Sequence, residues 1–231
     1  MHRDLFDEVL PASRGTHAAE QAIGELDVLQ PLPLAGADLR YAAHAWSAAE
    51  ADAFLRTLQR EIPWQRHRLN LFGRAVDAPR LSCWIGDADA VYVYSRTRFE
   101  PLPWTPAVAA LRDDLAQRFG LRFNSVLANL YRDGRDSMGW HSDDEPELGD
   151  APVIASLSFG AARTFRLRER ASRAPAQAIE LAHGSLLVMA GDTQRLYQHA
   201  LPKRAGVSAP RINLTFRSTA AGKIANFPRR S

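Results

Sequence analysis

The sequence predicts an α+β fold that is mainly β: an antiparallel sheet or jelly-roll barrel buttressed by two helices. Three observations point there. Seven short strand-like runs, each bounded by turn residues, occupy much of the chain after residue 80. Apolar residues recur at helical spacing in only two long stretches. Long helical patterns do not alternate with the strands, which argues against a parallel α/β sheet. A barrel mouth can also gather residues that lie far apart in sequence.

Residues 1–38 are interrupted by Pro11, Gly15, Pro31, Pro33 and Gly36 and read as an arm or loosely packed extension. A single domain over 39–231 follows. Its first helix begins after Ser47, where Glu50 completes a capping box. Phe54, Leu55, Leu58 and Ile62 form its apolar stripe and Pro63 stops it. The second begins at Thr105-Pro106, with proline in the first turn. It buries Val108, Leu111, Leu115 and Phe119 and ends at Gly120. The strand-like runs are 81–85, 91–94, 125–131, 153–159, 164–167, 185–189 and 211–217. No internal repeat or low-complexity segment is visible.

A chain of 231 residues is long enough for one domain with its own core. With 46% hydrophobic and 24% charged residues, it has neither a disordered nor a membrane-like composition. No apolar run approaches the roughly 20 residues that cross a bilayer, and the charged first residues lack the apolar centre of a signal peptide. The single Cys83, in an apolar run, reads as a buried thiol, and a reducing cytoplasm is the expected location. A net charge of +3 and a pI near 9.3 permit a polyanionic partner without requiring one. The basic tail at Lys223, Arg229 and Arg230 reads as a solvated terminus ahead of a phosphate-grazing arm.

The chemistry gathers late in the chain. His141 and Asp143 lie two apart, so in extended backbone both point to one face and can grip one ion. His199 adds a second imidazole. Two imidazoles and a carboxylate suit non-haem Fe(II), leaving three positions for a chelating co-substrate and O2. Along 211–217, Arg211, Asn213, Thr215 and Arg217 share one strand face, and Ile212, Leu214 and Phe216 the other. An arginine there is a natural anchor for the far carboxylate of a dicarboxylic acid such as 2-oxoglutarate. Six residues of strand span roughly 20 Å, so Arg211 is the expected anchor and Arg217 the second choice. Asn129 and Tyr131 also share a face. His-x-Asp alone is common by chance. In this order, the set reads as an Fe(II)/2-oxoglutarate dioxygenase.

Longer motifs extend that reading: Asn129-Leu-Tyr131, Trp140-His-Ser-Asp-Asp-Glu145, Ile154-Ala-Ser-Leu-Ser-Phe-Gly160 and Pro210-Arg-Ile-Asn-Leu-Thr-Phe-Arg217. They resemble the AlkB family of nucleic-acid dealkylating dioxygenases. Pro79-Arg-Leu-Ser-Cys-Trp-Ile-Gly86, followed by Tyr92-Val-Tyr94, resembles that family's substrate-side segment. The resemblance runs from about residue 70 to 217 and is nearest to the eukaryotic-type repair homologues, in which His-x-Asp continues as Asp-Glu. It implies a double-stranded β-helix (jelly-roll) core over about 121–217 and a nucleotide-recognition region over about 64–100.

By position, the resemblance implies His141, Asp143 and His199 as catalytic iron ligands. It implies Asn129, Tyr131, Arg211, Asn213 and Arg217 around 2-oxoglutarate, and Arg80, Tyr92, Tyr94, Asp144 and Glu145 lining the base pocket. The implied cofactor is Fe(II), with 2-oxoglutarate and O2 as co-substrates. The implied reaction is oxidative demethylation of N1-methyladenine and N3-methylcytosine in DNA, with RNA open, releasing formaldehyde, succinate and CO2. Aromatic rings can sandwich a flipped base, at about 1–3 kcal/mol per base. A carboxylate attracts the positive charge of such bases and discriminates against neutral ones. The expected partner is alkylated DNA, with no membrane, and the expected state a monomer.

Other readings stand beside these. An oxygenase of the same chemistry could act on a small molecule or protein side chain, although the basic pI and paired tyrosines argue mildly against it. A catalytically silent nucleic-acid-binding module would not need every metal and co-substrate position. Asp144 and Glu145 can be read as solvated loop charges, Tyr92 and Tyr94 as sheet aromatics, and Arg80 as a surface residue. His183, at a turn before a strand, is the rival metal ligand, and a hydrogen-bonded structural histidine is favoured there. A hairpin wedge decides strand preference in such enzymes. Leu69-Asn-Leu-Phe72 is the apolar candidate, with a buried strand as the alternative.

Overall fold

The computed structural model describes residues 29–71, 74–94, 97–172 and 174–219. In chain order they form β1 (Gln30–Pro31), β2 (Asp38–Ala42), α1 (Ala48–Glu61), β3 (Arg68–Leu71), β4 (Arg74–Asp77), β5 (Leu81–Gly86), β6 (Tyr92–Tyr94), β7 (Thr97–Phe99) and α2 (Pro106–Phe119). There follow β8 (Ser125–Tyr131), β9 (Met138–His141), β10 (Ile154–Gly160), β11 (Arg163–Glu169), β12 (Gln177–Leu181), β13 (Ser185–Ala190), the one-turn α3 (Thr193–Leu196), β14 (Tyr197–Leu201) and β15 (Arg211–Arg217).

Side-chain alternation along the strands sets the layering. A seven-stranded sheet, β1-β2-β13-β10-β15-β8-β5, packs on a four-stranded sheet, β12-β11-β14-β9. Pairs β3-β4 and β6-β7 are separate hairpins, and all these strand pairings are antiparallel. This is the antiparallel, mainly β arrangement expected of a jelly roll. On one face of the larger sheet, Ile212, Leu214 and Phe216 join Val126, Leu157, Phe159 and Val188 in an apolar cluster that includes Leu58 of α1 and Leu111 and Leu115 of α2. On the other face, Ile154, Leu187 and Met189 meet Phe165, Leu167, Leu181 and Tyr197 of the smaller sheet. The polar face of β15 therefore turns into the space between the sheets.

Both helices begin and end where their sequence signals fall. The Ser47 N–H donates to Glu50 Oε2 at 2.8 Å and the Glu50 N–H returns to Ser47 Oγ at 3.4 Å, a complete capping box. Pro106 opens α2, and Gly120 closes it in the left-handed region at φ 68°. Cys83 of β5 lies in the helix-side cluster, where burial pushes its thiol up to about 11.

The described part of the presumed arm needs correction. Residues 30–31 pair with β2, β2 pairs with β13, and Leu32, Leu34 and Ala37 pack against the inter-sheet cluster. Pro31, one of the prolines that suggested an irregular arm, sits on the edge strand β1, where proline costs no ladder bond. Residues 1–28 and the basic tail lie outside the described residues, as do Phe72 and the side chains of Leu69, Tyr92 and Tyr94.

Gly160 ends β10 opposite Arg211, with φ at 95°, and a Cβ there would fall 2.3 Å from Pro210 O. Gly160→Ala is expected to cost about 1–3 kcal/mol of backbone strain, seen as a melting temperature several degrees lower.

Candidate metal and co-substrate site

His141 ends β9 and His199 sits on β14 directly across from it, so the register puts both imidazoles on one face. Their Nε2 atoms are 3.1 Å apart, and His141 Nε2 is 4.0 Å from Asp143 Oδ1. The ligand atoms of the three residues lie within 4.8 Å of one another. His141 Nδ1 is 2.9 Å from Gly139 O. A carbonyl only accepts, so Nδ1 carries the proton and Nε2 presents its lone pair to the site. Two nitrogens bound side by side at about 2.1 Å from a metal would sit close to the observed separation. The donor set fits a divalent iron.

Supporting contacts hold these candidate ligands. Phe165 stacks on the His199 ring, with centroids 5.1 Å apart. The Asp143 N–H donates to Gln194 Oε1 at 3.0 Å, and Ser142 Oγ donates to Tyr197 O at 2.7 Å. Gln194 lies on α3, just ahead of the strand bearing His199, so the two ligand segments are tied together.

Electrostatics prepare the set. Burial lowers the pKa of both imidazoles, that of His199 to about 3, with neighbouring His141 adding to the effect. Both are then neutral near pH 7, the form that binds metal. Burial alone would push the Asp143 carboxyl up, but Arg217, whose Nη2 donates to Asp143 Oδ1 at 2.7 Å, and the two histidines hold it below the usual carboxylate range. The sign follows for the metal-free protein. Its folded His199 binds fewer protons than an unfolded histidine of ordinary pKa 6.5, so stability falls as pH drops from about 6.5 toward 3. Asp143, depressed in the fold, adds to the loss below the ordinary aspartate range. Urea midpoints are expected to be lower at pH 5 than at pH 7.5.

At the other end, β15 and β8 pair in register, Arg211 opposite Tyr131 and Asn213 opposite Asn129. Arg211 is 2% exposed. Its Nη2 donates to Ser158 Oγ at 2.8 Å, and its guanidinium lies 5.3 Å from the Tyr131 ring centre. Burial pushes its pKa down to about 10, and its buried Nε has no hydrogen-bond partner among the described residues. A desolvated cation with an idle donor suits an incoming carboxylate. The cavity between these ends is lined from both sheets, by Asn129, Tyr131, Arg211, Asn213, Thr215 and Arg217 on one side and Phe165, Leu181, His141 and His199 on the other.

Comparison with known proteins agrees with this geometry. Residues 38–217 match the family model of the 2OG-Fe(II) oxygenase superfamily. DNA oxidative demethylase ALKBH2 of Mus musculus is 42% identical over 179 residues, covering 73% of this chain and 75% of that protein. The chain belongs to the AlkB family of 2OG-Fe(II) oxygenases. Alpha-ketoglutarate-dependent dioxygenase alkB homolog 3 of Homo sapiens is 43% identical over 178 residues, and the match spans 73% of this chain but 62% of that relative's length. The solved structure of OsALKBH1 shares the fold, with a TM-score of 0.54 at 19% identity over 83% of this chain and 100% of that one. So does a 2OG-Fe(II) oxygenase family member from Burkholderia pseudomallei, with a TM-score of 0.53 at 17% identity over 90% of this chain and 92% of that one.

The residues read as base contacts in this AlkB-family chain fall in different settings. Arg80 is buried, not at the surface, and its Nε donates to Asn129 Oδ1 at 2.8 Å. The Asp144 carboxylate pairs with Arg170, and both are exposed. Glu145 is half-buried at the start of a 3-10 turn over Pro146–Leu148. Tyr92 and Tyr94 lie on hairpin β6-β7, where the backbone alone is described. His183 is structural: its Nδ1 accepts the Gly160 N–H at 2.8 Å and its Nε2 lies 3.3 Å from Asp52 Oδ1.

Two of the expected co-substrate contacts line the cavity and also have partners within the protein. Arg217 Nη2 donates to Asp143 Oδ1. Asn213 has its amino group on Ser156 Oγ and Leu157 O, and its Oδ1 accepts Thr215 Oγ1, so it braces the cavity wall. Sequence reasoning missed Leu127, Phe165, Met189 and Gln194. Leu127 could have been found, since it precedes Asn129 and Tyr131 by two and four residues on the same strand face.

Proposed function

We propose that this protein is an Fe(II)/2-oxoglutarate-dependent dioxygenase that oxidatively demethylates N1-methyladenine and N3-methylcytosine in DNA, with RNA as a further candidate substrate, releasing formaldehyde, succinate and CO2. One observation carries the chemistry: two neutral imidazoles and an ionised carboxylate at one end of a cavity, and a buried arginine with an unpartnered Nε at the other. His141, Asp143 and His199 hold the iron, and Arg211 and Tyr131 hold the far carboxylate of 2-oxoglutarate. When bound, the iron with 2-oxoglutarate and O2 supplies the oxidation of the N-methyl carbon.

The chain's own residues do the rest. Arg217 keeps Asp143 ionised. Arg211 sets the orientation of the dicarboxylate, and Asn129 and Asn213 complete the polar wall. Leu127, Phe165, Leu181 and Met189 make part of the lining apolar and limit water. Tyr92 and Tyr94 stack on an extruded base, and Asp144, Glu145 and Arg80 border it. The nucleic-acid substrate is supported by the demethylase name of the ALKBH2 relatives, by paired tyrosines on a hairpin and by the basic pI. In this reading residues 39–231, with residues 30–38 added at the edge of the larger sheet, act as one monomeric cytoplasmic domain, with nucleotide recognition at about 64–100, a jelly-roll core at about 121–217 and two helices bracing the larger sheet.

The test is succinate release in the presence of N1-methyladenine or N3-methylcytosine oligonucleotides, single- and double-stranded, DNA and RNA. Release that depends on the methylated base is expected. Release indifferent to every oligonucleotide would move the substrate to another class. Tyr94→Ala should lose about 1–3 kcal/mol of oligonucleotide binding while turnover of 2-oxoglutarate without substrate survives. Wild-type affinity in that variant would return the tyrosines to sheet packing. Glu145→Gln should penalise cationic bases more than Asp144→Asn does, because Arg170 already offsets the Asp144 charge.

A further inference from the structure

We infer that Arg80 is a positioning residue of the co-substrate site, acting through Asn129. It precedes β5, whose Ser82 pairs in register with Asn129 of β8. Arg80 and Asn129 are 6% and 2% exposed, so neither side chain can exchange partners with bulk water. A guanidinium carries donors only, so the Asn129 atom 2.8 Å from Arg80 Nε must be the carbonyl oxygen. The Asn129 amino group is thereby turned away from Arg80. Asn129 lines the cavity beside Arg211 and Tyr131, so it offers an N–H donor there.

The alternative rotamer would put a carbonyl oxygen into the cavity, where it repels the oxygens of a dicarboxylate. The other asparagine cannot substitute, because Ser156 and Leu157 already engage the amino group of Asn213. Arg80 thus selects the amide orientation that suits an anion. A segment otherwise associated with the base pocket shapes the co-substrate pocket. This rests on the reading of the cavity as a 2-oxoglutarate site.

The experiment measures 2-oxoglutarate affinity by calorimetry on full-length protein loaded with Mn(II), so no turnover is needed. Arg80→Met should weaken binding at least about tenfold, as for loss of a partner that orients a ligand-binding group. Asn129→Ala should weaken it similarly. The double variant should be no weaker than Asn129→Ala, because one residue acts through the other. Arg80→Lys, which keeps a cationic donor for Asn129 Oδ1, should hold 2-oxoglutarate affinity within about threefold of wild type, a rescue that a merely structural role would not produce.

Unchanged 2-oxoglutarate affinity in Arg80→Met, or losses that add in the double variant, would overturn the inference. If Arg80→Met does not fold, the double variant decides alone, since it leaves no amide oxygen unpaired. A dissociation constant equal to that of Asn129→Ala supports the inference, and a further loss overturns it. Wild-type protein that fails to bind 2-oxoglutarate, or Arg211→Met protein that binds it normally, would instead overturn the reading of the cavity.

Discussion

His199→Ala is expected to abolish Fe(II) binding and turnover, whereas His183→Ala keeps both. The proposed site has three protein ligands, and His199 is the one held from both sides, by Phe165 stacking and by the His141 ring across the strand pair. Removing it leaves a bidentate remnant. The loss should exceed the roughly 10–100-fold cost of deleting an outer partner of a metal ligand. His183 contacts Gly160 and Asp52 and does not share the ligand cluster. Anaerobic Fe(II) titration of both variants checks the triad, and loss of iron in His183→Ala alone would refute it. His141→Ala and Asp143→Ala should behave like His199→Ala.

The two arginines of β15 should separate into different phenotypes. Arg211→Ala leaves the far carboxylate of 2-oxoglutarate without its charged donor, worth about 1.5–3 kcal/mol for such a bond. The apparent KM for 2-oxoglutarate should rise at least about tenfold, with the fold and the metal site retained. Arg217→Ala should act on the metal end, since it strands the Asp143 carboxylate in a buried site. Breaking one side of a buried ion pair costs about 3–5 kcal/mol, so melting temperature and Fe(II) affinity should both fall. If the two variants shift 2-oxoglutarate KM equally and leave stability alone, the division of roles is wrong.

Much of this was legible in the sequence where local signals suffice. The capping box at Ser47 and the glycine at position 120 mark helix ends because the orphan backbone groups there need partners nearby in the chain. Strands β8 and β15 were readable because apolar and polar residues alternate with period two. Strands β9 and β14 were not. Their inward positions include His141 and His199, the candidate metal ligands, beside Met138, Tyr197 and Leu201, so the apolar pattern is interrupted where the site lies. Strand β12 is an exposed edge with little apolar signal. Partners were least legible: Arg217 and Asp143 are 74 residues apart, and Arg80 and Asn129 are 49 apart. Such pairs follow from sheet order, which local patterns do not encode.

The buried Cys83 has a consequence for the setting of the proposed role. Bases become methylated where electrophilic alkylating agents are present, and those agents also consume thiolates. With its pKa near 11, the Cys83 thiol is ionised in only about one molecule in ten thousand at neutral pH. It also lies on β5 within the helix-side cluster, at 2% exposure. The single sulfhydryl of the chain is thus withheld from the reagents whose damage the protein is proposed to reverse.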